Sequence, residues 1–218
     1  LRFNTENTAH YITDYQGVLL EQILDTITDL DSTSKLQVVQ ERRLLAEAGS
    51  ISFADLVPVI EKLTEETSYL VVSGVKAVLN GLRLFVDEGS ECEKAYHKLV
   101  VKLSKFNFDR LGFEAKEGES DEDELVRQIV VGSLIAADDQ AASQEASRIF
   151  AAHQENLEKL PAAIRLHILI NQIKHDESKE LADQYLNDYV STVDGSFKRQ
   201  LASALAYTKD AETLARIL

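Results

Sequence analysis

Five histidines, one cysteine and a run of carboxylates are the residues of this chain with the reactivity for chemistry, and their spacing decides against most of it. A helix-borne metal site needs two histidines four apart with a glutamate beside the first. His10, His97, His153, His167 and His175 contain no such pair, and His153-Gln-Glu-Asn-Leu lacks the second ligand. His167 and His175 are eight apart, a spacing that can share a helix face, but a loop near Asp176 is expected to separate them. They read as surface or core histidines. Cys92 is alone, so neither a disulfide framework nor a cysteine metal site is available. Neither Cys92 nor Ser133 has a histidine beside it, and no glycine-rich phosphate loop or nucleophile elbow occurs. Asp121, Glu122, Asp123 and Glu124 fall at an expected helix start, where the helix dipole favours negative charge. The residue type left is arginine, whose planar guanidinium can grip a carboxylate with two hydrogen bonds. No catalytic residue, metal or cofactor is expected in this segment.

Three arginines set the frame of the second half. Arg127, Arg165 and Arg199 each open an apolar stretch that ends eleven positions later at Asp138, Asp176 and Asp210. A second short apolar-periodic stretch follows each aspartate. The offsets of 38 and 34 residues are those of stacked helical hairpins. An aspartate between two helices can accept the unpaired N–H groups of the next one, so Asp138 (or Asp139), Asp176 and Asp210 are expected to be structural caps. Each arginine lies about 16 Å from its aspartate along a helix axis, so a pair within one repeat is not expected and bridging between neighbouring repeats stays open.

The elements that carry these residues read as helices almost throughout. An apolar stripe runs from Val18 through Leu30 and ends near Asp31, and a second helix is expected from about Ser34 to Ala48, stopped by Gly49. Ser52 with Asp55 has capping-box spacing, with Ile51 placed to staple onto Leu56, and Pro58 should bend the following helix or reset its first turn. Helices are expected from about Thr67 to Val86, and from Ser90, with Glu93 as its box partner, to about Phe108. The polar stretch 109–121, with Gly112 and Gly118, is the one long connection, and Ser120 with Asp123 caps the helix that carries Arg127. Pro161 suits a first helical position; Asp194-Gly195 reads as a turn with Ser196 as the next cap. Only residues 1–15 look different: Arg2 to Thr5 and His10 to Tyr15 alternate and favour β structure, a terminal strand or two.

Composition agrees with an all-α class. Gly 9 and Pro 2 are few among 218 residues, and 44% are hydrophobic, which suffices for a core. A net charge of −14 opposes binding to nucleic acid or an anionic membrane. No apolar run approaches a bilayer span. A single cysteine and no signal-peptide pattern point to a cytoplasmic setting, and an opening Leu1 points to a piece of a longer chain. The expected fold is a superhelical array of antiparallel helical hairpins of the HEAT/armadillo kind over residues 16–218, in parts of about 16–110 and 120–218, with a short N-terminal β remnant. One function compatible with that is a free-standing repeat scaffold that holds a protein partner on a concave face.

The order of short motifs points elsewhere. Asn7-Thr8-Ala9-His10-Tyr11-Ile12-Thr13-Asp14-Tyr15 resembles the end of the β-sandwich in zinc aminopeptidases of the aminopeptidase N family. Leu30 to Leu36, Leu44 to Ser52 and Glu66-Thr67-Ser68-Tyr69 resemble the opening helices of that family's C-terminal domain. Gly112-Phe113, Gly118-Glu119-Ser120-Asp121 and Leu125-Val126-Arg127 are similar to its Gly-Trp, Gly-Glu and Leu-x-Arg block. Lys35 stands for the usual Arg, Gln40-Glu41 for an Asp and Phe113 for a Trp. The resemblance implies that residues 1–15 end a preceding β-sandwich and that 16–218 form a non-catalytic domain closing over the active site of a metalloaminopeptidase. Zinc and the His-Glu-x-x-His motif would lie outside this chain. Its partners would be the catalytic and β-sandwich domains of the same polypeptide, and peptide substrates. Arg83 and Arg127 match the family positions that can hold a peptide's carboxyl end, although Leu82 replaces a neighbouring aromatic.

Overall fold

The computed structural model describes residues 2–5, 8–176 and 179–217, with residues 216 and 217 described as backbone only. Its helices are α1 (Gly17–Asp25), α2 (Ser32–Glu47), α3 (Val57–Glu61), α4 (Tyr69–Arg83), α5 (Glu91–Leu111), α6 (Asp121–Ala136), α7 (Gln140–His153), α8 (Arg165–His175), α9 (Glu180–Ser191), α10 (Gly195–Leu205) and α11 (Ala211–Ile217). Short 3₁₀ turns at Ile27–Asp29, Phe53–Leu56 and Leu157–Lys159 punctuate them. The chain is all-α.

Most helix starts obey the expected chemistry. Asp31 accepts from the Ser34 N–H at 3.0 Å and starts α2. Ser52 with Asp55, and Ser120 with Asp123, form reciprocal capping boxes. Ser90 caps α5, but Glu93 reaches back to the Gly89 N–H rather than to that of Ser90. Pro58 is the second residue of α3, where a missing donor costs nothing, so it resets the helix after the 3₁₀ turn. Two starts differ from expectation. Pro161 lies in a turn whose carbonyl accepts from the Ile164 N–H, and α8 begins only at Arg165. Asp194, not Ser196, caps α10: its carboxylate accepts from the Ser196 N–H at 2.8 Å, and Gly195 is already helical.

The N-terminal β remnant is not found among the described residues, which contain no strand. A strand is one edge of a ladder, and every other element here is a helix that satisfies its own backbone. The segment is instead held to α2 by side chains. Tyr15 is buried, its carbonyl accepts from Arg42 Nη1 at 3.0 Å, and its hydroxyl accepts from the Phe3 N–H at 2.8 Å.

Packing proceeds from neighbour to neighbour. α2 lies on α4, α4 on α6, α6 on α8 and α8 on α10, while α5, α7 and α9 pack against α6, α8 and α10 respectively. Helix α6 sits between the two large apolar clusters, and it is buried almost all round through Val126, Val130, Val131, Leu134 and Ile135. One cluster gathers Ile23, Val38, Ile60, Val71, Val78 and Val100; the other gathers Ala146, Ile149, Ile168, Tyr185 and Leu201. The loop before α4 is tied down by the Lys35–Glu66 ion pair (2.5 Å) and by Asn107 Nδ2 donating to the Glu66 carbonyl at 2.7 Å. These contacts fix α4 against α2 and α5, and so fix one wall of the cavity between α4, α6 and α8.

Candidate functional site

That cavity, of roughly 890 Å³, is also lined by Tyr207 and Lys209 from the segment after α10. Helix α4 supplies Lys76, Asn80 and Arg83, whose spacing places them on one face of the helix. The rest of α4 is apolar and turns Val71, Val75, Val78 and Leu79 into the core. Helix α6 contributes Gln128, Ile129 and Gly132, and α8 contributes Leu166, His167, Ile170 and Lys174. Cations from α4 and α8 and aliphatic side chains from α6 and α8 therefore share the lining.

Gly132 permits this closeness of α6 and α8. A Cβ there would strike the imidazole of His167, so the ring occupies the space that any other residue would claim. Burial drives the His167 pKa down to about 4 from its ordinary 6.5, the nearby Lys76 ammonium lowers it further, and a hydrogen bond to the Gln128 carbonyl opposes both. At neutral pH the ring is uncharged. Burial likewise pulls the Lys76 pKa below its ordinary value. Lys76 has no ion pair or hydrogen bond among the described residues, whereas Arg83 and Lys174 do. Arg83 lies 3.6 Å from Glu93 and donates to the Val86 carbonyl at 2.5 Å; Lys174 pairs with Asp138 at 2.6 Å. Four cations (Lys76, Arg83, Lys174, Lys209) thus face three carboxylates (Glu88, Glu93, Asp138) in a protein of net charge −14.

The two arginines singled out in the sequence are not brought together. Arg83 is half-exposed at this cavity. Arg127 is 2% exposed inside α6, pairs with Glu119 from the 112–120 loop, and does not line the cavity although Gln128 beside it does. Its guanidinium draws the Glu119 pKa below the usual carboxylate range. To meet a ligand carboxylate it would have to leave Glu119.

The three framed aspartates have three different roles. Asp139, rather than Asp138, caps α7 by accepting from the Ala142 N–H at 2.9 Å. Asp138 is the left-handed residue (φ 54°) that ends α6, where a short polar side chain is tolerated, and it holds Lys174. Asp176 follows the last residue of α8 and is not the cap expected of it: Lys179 holds the cap position of α9, without a side-chain cap, and residues 177 and 178 lie outside those described. Asp210 accepts from the Thr213 N–H at 2.7 Å and so caps α11, and its hydrogen bonds with Thr213 lower its pKa. Arg165 bridges repeats: it donates to the Leu160 and Glu158 carbonyls and to Gln200, and stacks 5.2 Å over Phe197. Arg199 is exposed.

Among the described residues, no group of three or more His, Cys, Asp or Glu side chains is placed to hold a metal ion. No helix among them is long and apolar enough to cross a membrane. Cys92 is exposed and Ser133 is buried in α6. Sequence reasoning missed Lys76. The available signal was a polar stripe, Lys76, Asn80 and Arg83, on an otherwise apolar helix.

A family model described as the ERAP1-like C-terminal domain matches residues 1–218. The chain belongs to that family. It is 51% identical to an Aminopeptidase N of Lactococcus lactis subsp. lactis over 219 residues, covering 100% of this chain and 26% of that protein. An Aminopeptidase N of Lactobacillus helveticus is 38% identical with the same coverage of both chains. Aminopeptidase M1-B of Oryza sativa subsp. japonica is 25% identical over 62% of this chain and 16% of its own length. The chain spans about a quarter of the length of the bacterial relatives it matches. In the frame of this ERAP1-like C-terminal domain, the α4–α6–α8 cavity combines aliphatic lining with convergent polar groups.

Proposed function

We propose that this chain is the non-catalytic C-terminal domain of a zinc metalloaminopeptidase that releases N-terminal residues from peptides, and that it closes over the active site and controls peptide access. The observation that carries this reading is the match of all 218 residues to about a quarter of the length of bacterial proteins named Aminopeptidase N. The zinc and its ligands then belong to the rest of the polypeptide, which also supplies the catalytic and β-sandwich domains as partners, in a cytoplasmic enzyme. Residues 1–15 end the β-sandwich, whose strands belong to the rest of the polypeptide. The neighbour-to-neighbour row of α2, α4, α6, α8 and α10 forms a curved wall over the active site. Arg83, half-exposed at the cavity, meets a peptide carboxylate by turning from Glu93. Arg127 takes part only by exchanging Glu119 for the ligand.

The test compares the full-length enzyme with a version lacking this domain, on a series of peptides of increasing length and on a single-residue anilide. The reading expects the length dependence to vanish on removal while anilide turnover persists. An unchanged length profile overturns access control. Anilide turnover by the isolated chain in the presence of zinc overturns the non-catalytic role.

A further inference from the structure

We propose that the apolar groove bounded by the Phe53–Leu56 turn, α3, the end of α4 and the start of α5 binds a single-chain amphiphile, a fatty-acid anion. Its alkyl tail lies along Phe53, Phe85 and Leu99, and its carboxylate meets Lys98. This site shares only Tyr96 with the α4–α6–α8 cavity and stands independently of the peptide reading. The groove holds roughly 710 Å³, within the range of small-molecule sites. The Phe53 ring lies against α4 at Gly81, where a Cβ would strike it, and Phe85 packs on that ring with centroids 5.4 Å apart. Phe85 nevertheless stays 66% exposed, and Val57, Leu82 and Leu99 continue the apolar surface beside it. A tail laid there removes this surface from water.

Hydrogen bonding decides between an alkyl chain and a stretch of polypeptide. The polar side chains of the lining are already engaged: Ser52 Oγ accepts from the Ala54 N–H at 3.1 Å, the Tyr96 hydroxyl donates to the Leu79 carbonyl at 3.3 Å, and Lys102 pairs with Glu61 at 2.8 Å. A polypeptide seated in the groove would bury N–H and C=O groups for which these side chains offer no partner, at a cost an alkyl chain does not carry. Lys98 is the exception. It follows Lys94 and precedes Lys102 at four-residue spacing, so the three share a face of α5. Lys94 is held by Glu91 and Lys102 by Glu61, whereas Lys98 is exposed and has no ion pair or hydrogen bond among the described residues. Lys98 and Lys102 against Glu61 leave one positive charge at the lining, which matches a monoanionic head.

The test uses the full-length protein with decanoate, octanoate and decanol as probes. Cys92 is exposed and lines the groove, so its alkylation by iodoacetamide, read by mass spectrometry of the peptide that contains it, reports occupancy at this place alone. Decanoate slows the alkylation in a saturable way. Octanoate needs about tenfold more for the same protection, since two methylenes are missing, and decanol about fivefold more, since the charge is missing. Lys98→Met makes decanoate and decanol equal, and Lys98→Arg keeps the preference. Ala95→Trp, which fills the groove from an exposed position, and Phe85→Ala, which removes exposed apolar surface, each weaken both ten-carbon probes about fivefold or more, every rate being compared with that of the same variant without ligand. Absence of protection in the full-length protein overturns the inference, the groove then being covered by the rest of the polypeptide or empty of such ligands. A preference for decanoate that survives Lys98→Met overturns the assigned head position, and protection unchanged in both Ala95→Trp and Phe85→Ala overturns the groove as the site. None of these outcomes alters the peptide length profile, which tests the peptide reading separately.

Discussion

Replacing Arg127 by Met separates a structural arginine from a ligand-binding one. The guanidinium is 2% exposed, and its partner Glu119 comes from the loop between α5 and α6, so the pair pins that loop against the helix joining the two cores. Methionine keeps most of the buried volume, so the loss is electrostatic. Removing one member of a fully buried pair costs about 3–5 kcal/mol, and the partial exposure of Glu119 reduces this to about 2–3 kcal/mol for Arg127→Met. For a chain of this size that lowers Tm by about 5–10 °C. Urea and thermal unfolding monitored by far-UV circular dichroism measure it. Because Nε of Arg127 is buried with no hydrogen-bond partner, its burial is already incompletely compensated. The double variant Arg127→Met with Glu119→Gln therefore recovers most of the loss, which a double-mutant cycle reads as strong coupling. Arg83→Met, a change at a half-exposed side chain, stays within about 0.5 kcal/mol. Arg127→Met with wild-type stability, or no coupling to Glu119, would refute the commitment of this arginine to the loop and return it to the ligand candidates.

Single contacts set the remaining expected outcomes. Gly132→Ala drives a methyl group into the His167 ring and costs about 1 kcal/mol net of the helix propensity it gains; in a His167→Ala background the same change becomes stabilising, as read by urea midpoints. Asp139→Ala removes the α7 cap and costs about 1 kcal/mol, whereas Asp138→Asn, which keeps a residue tolerant of positive φ, stays within about 0.5 kcal/mol. The folded state holds the His167 pKa near 4 against 6.5 when unfolded, so the unfolded chain binds the extra proton and stability falls as pH drops from 6.5 towards 4. That loss is about 2 kcal/mol after allowance for the ring's partial exposure, and it appears as the difference between the wild-type and His167→Gln stability profiles.

The helices were legible because their signals are local. Ser52 with Asp55 and Ser120 with Asp123 are capping boxes in the structure as in the sequence, and Gly112 ends α5 with positive φ where a polar connection was expected. The hidden features depend on partners remote in sequence or on one-residue choices of backbone. Asp138 and Asp139 are equivalent as caps on paper; only the left-handed turn at the end of α6 decides between them. Pro161 has a residue type suited to a first turn, yet the Arg165 side chain holds the Glu158 and Leu160 carbonyls and delays the helix. The Arg127–Glu119 pair spans a loop-to-helix junction, where the i, i+4 rule has no purchase. The cavity is assembled from α4, α6, α8 and the segment after α10, and no periodicity within one helix announces that meeting.

Equal spacing also did not mean equal role. Arg127 and Arg165 stand nine and ten residues before the ends of α6 and α8, and both are buried; Arg199 stands six before the end of α10 and is exposed. The sequence frame counts residues to an aspartate, whereas burial depends on position relative to the helix that packs next. The longer link after α10 uncouples the two counts. The frame is therefore a measure of hairpin length, and the side chains it marks act mainly on the fold. Lys76 belongs to no frame. It lies on an otherwise apolar helix, and burial there pulls its pKa below the ordinary value.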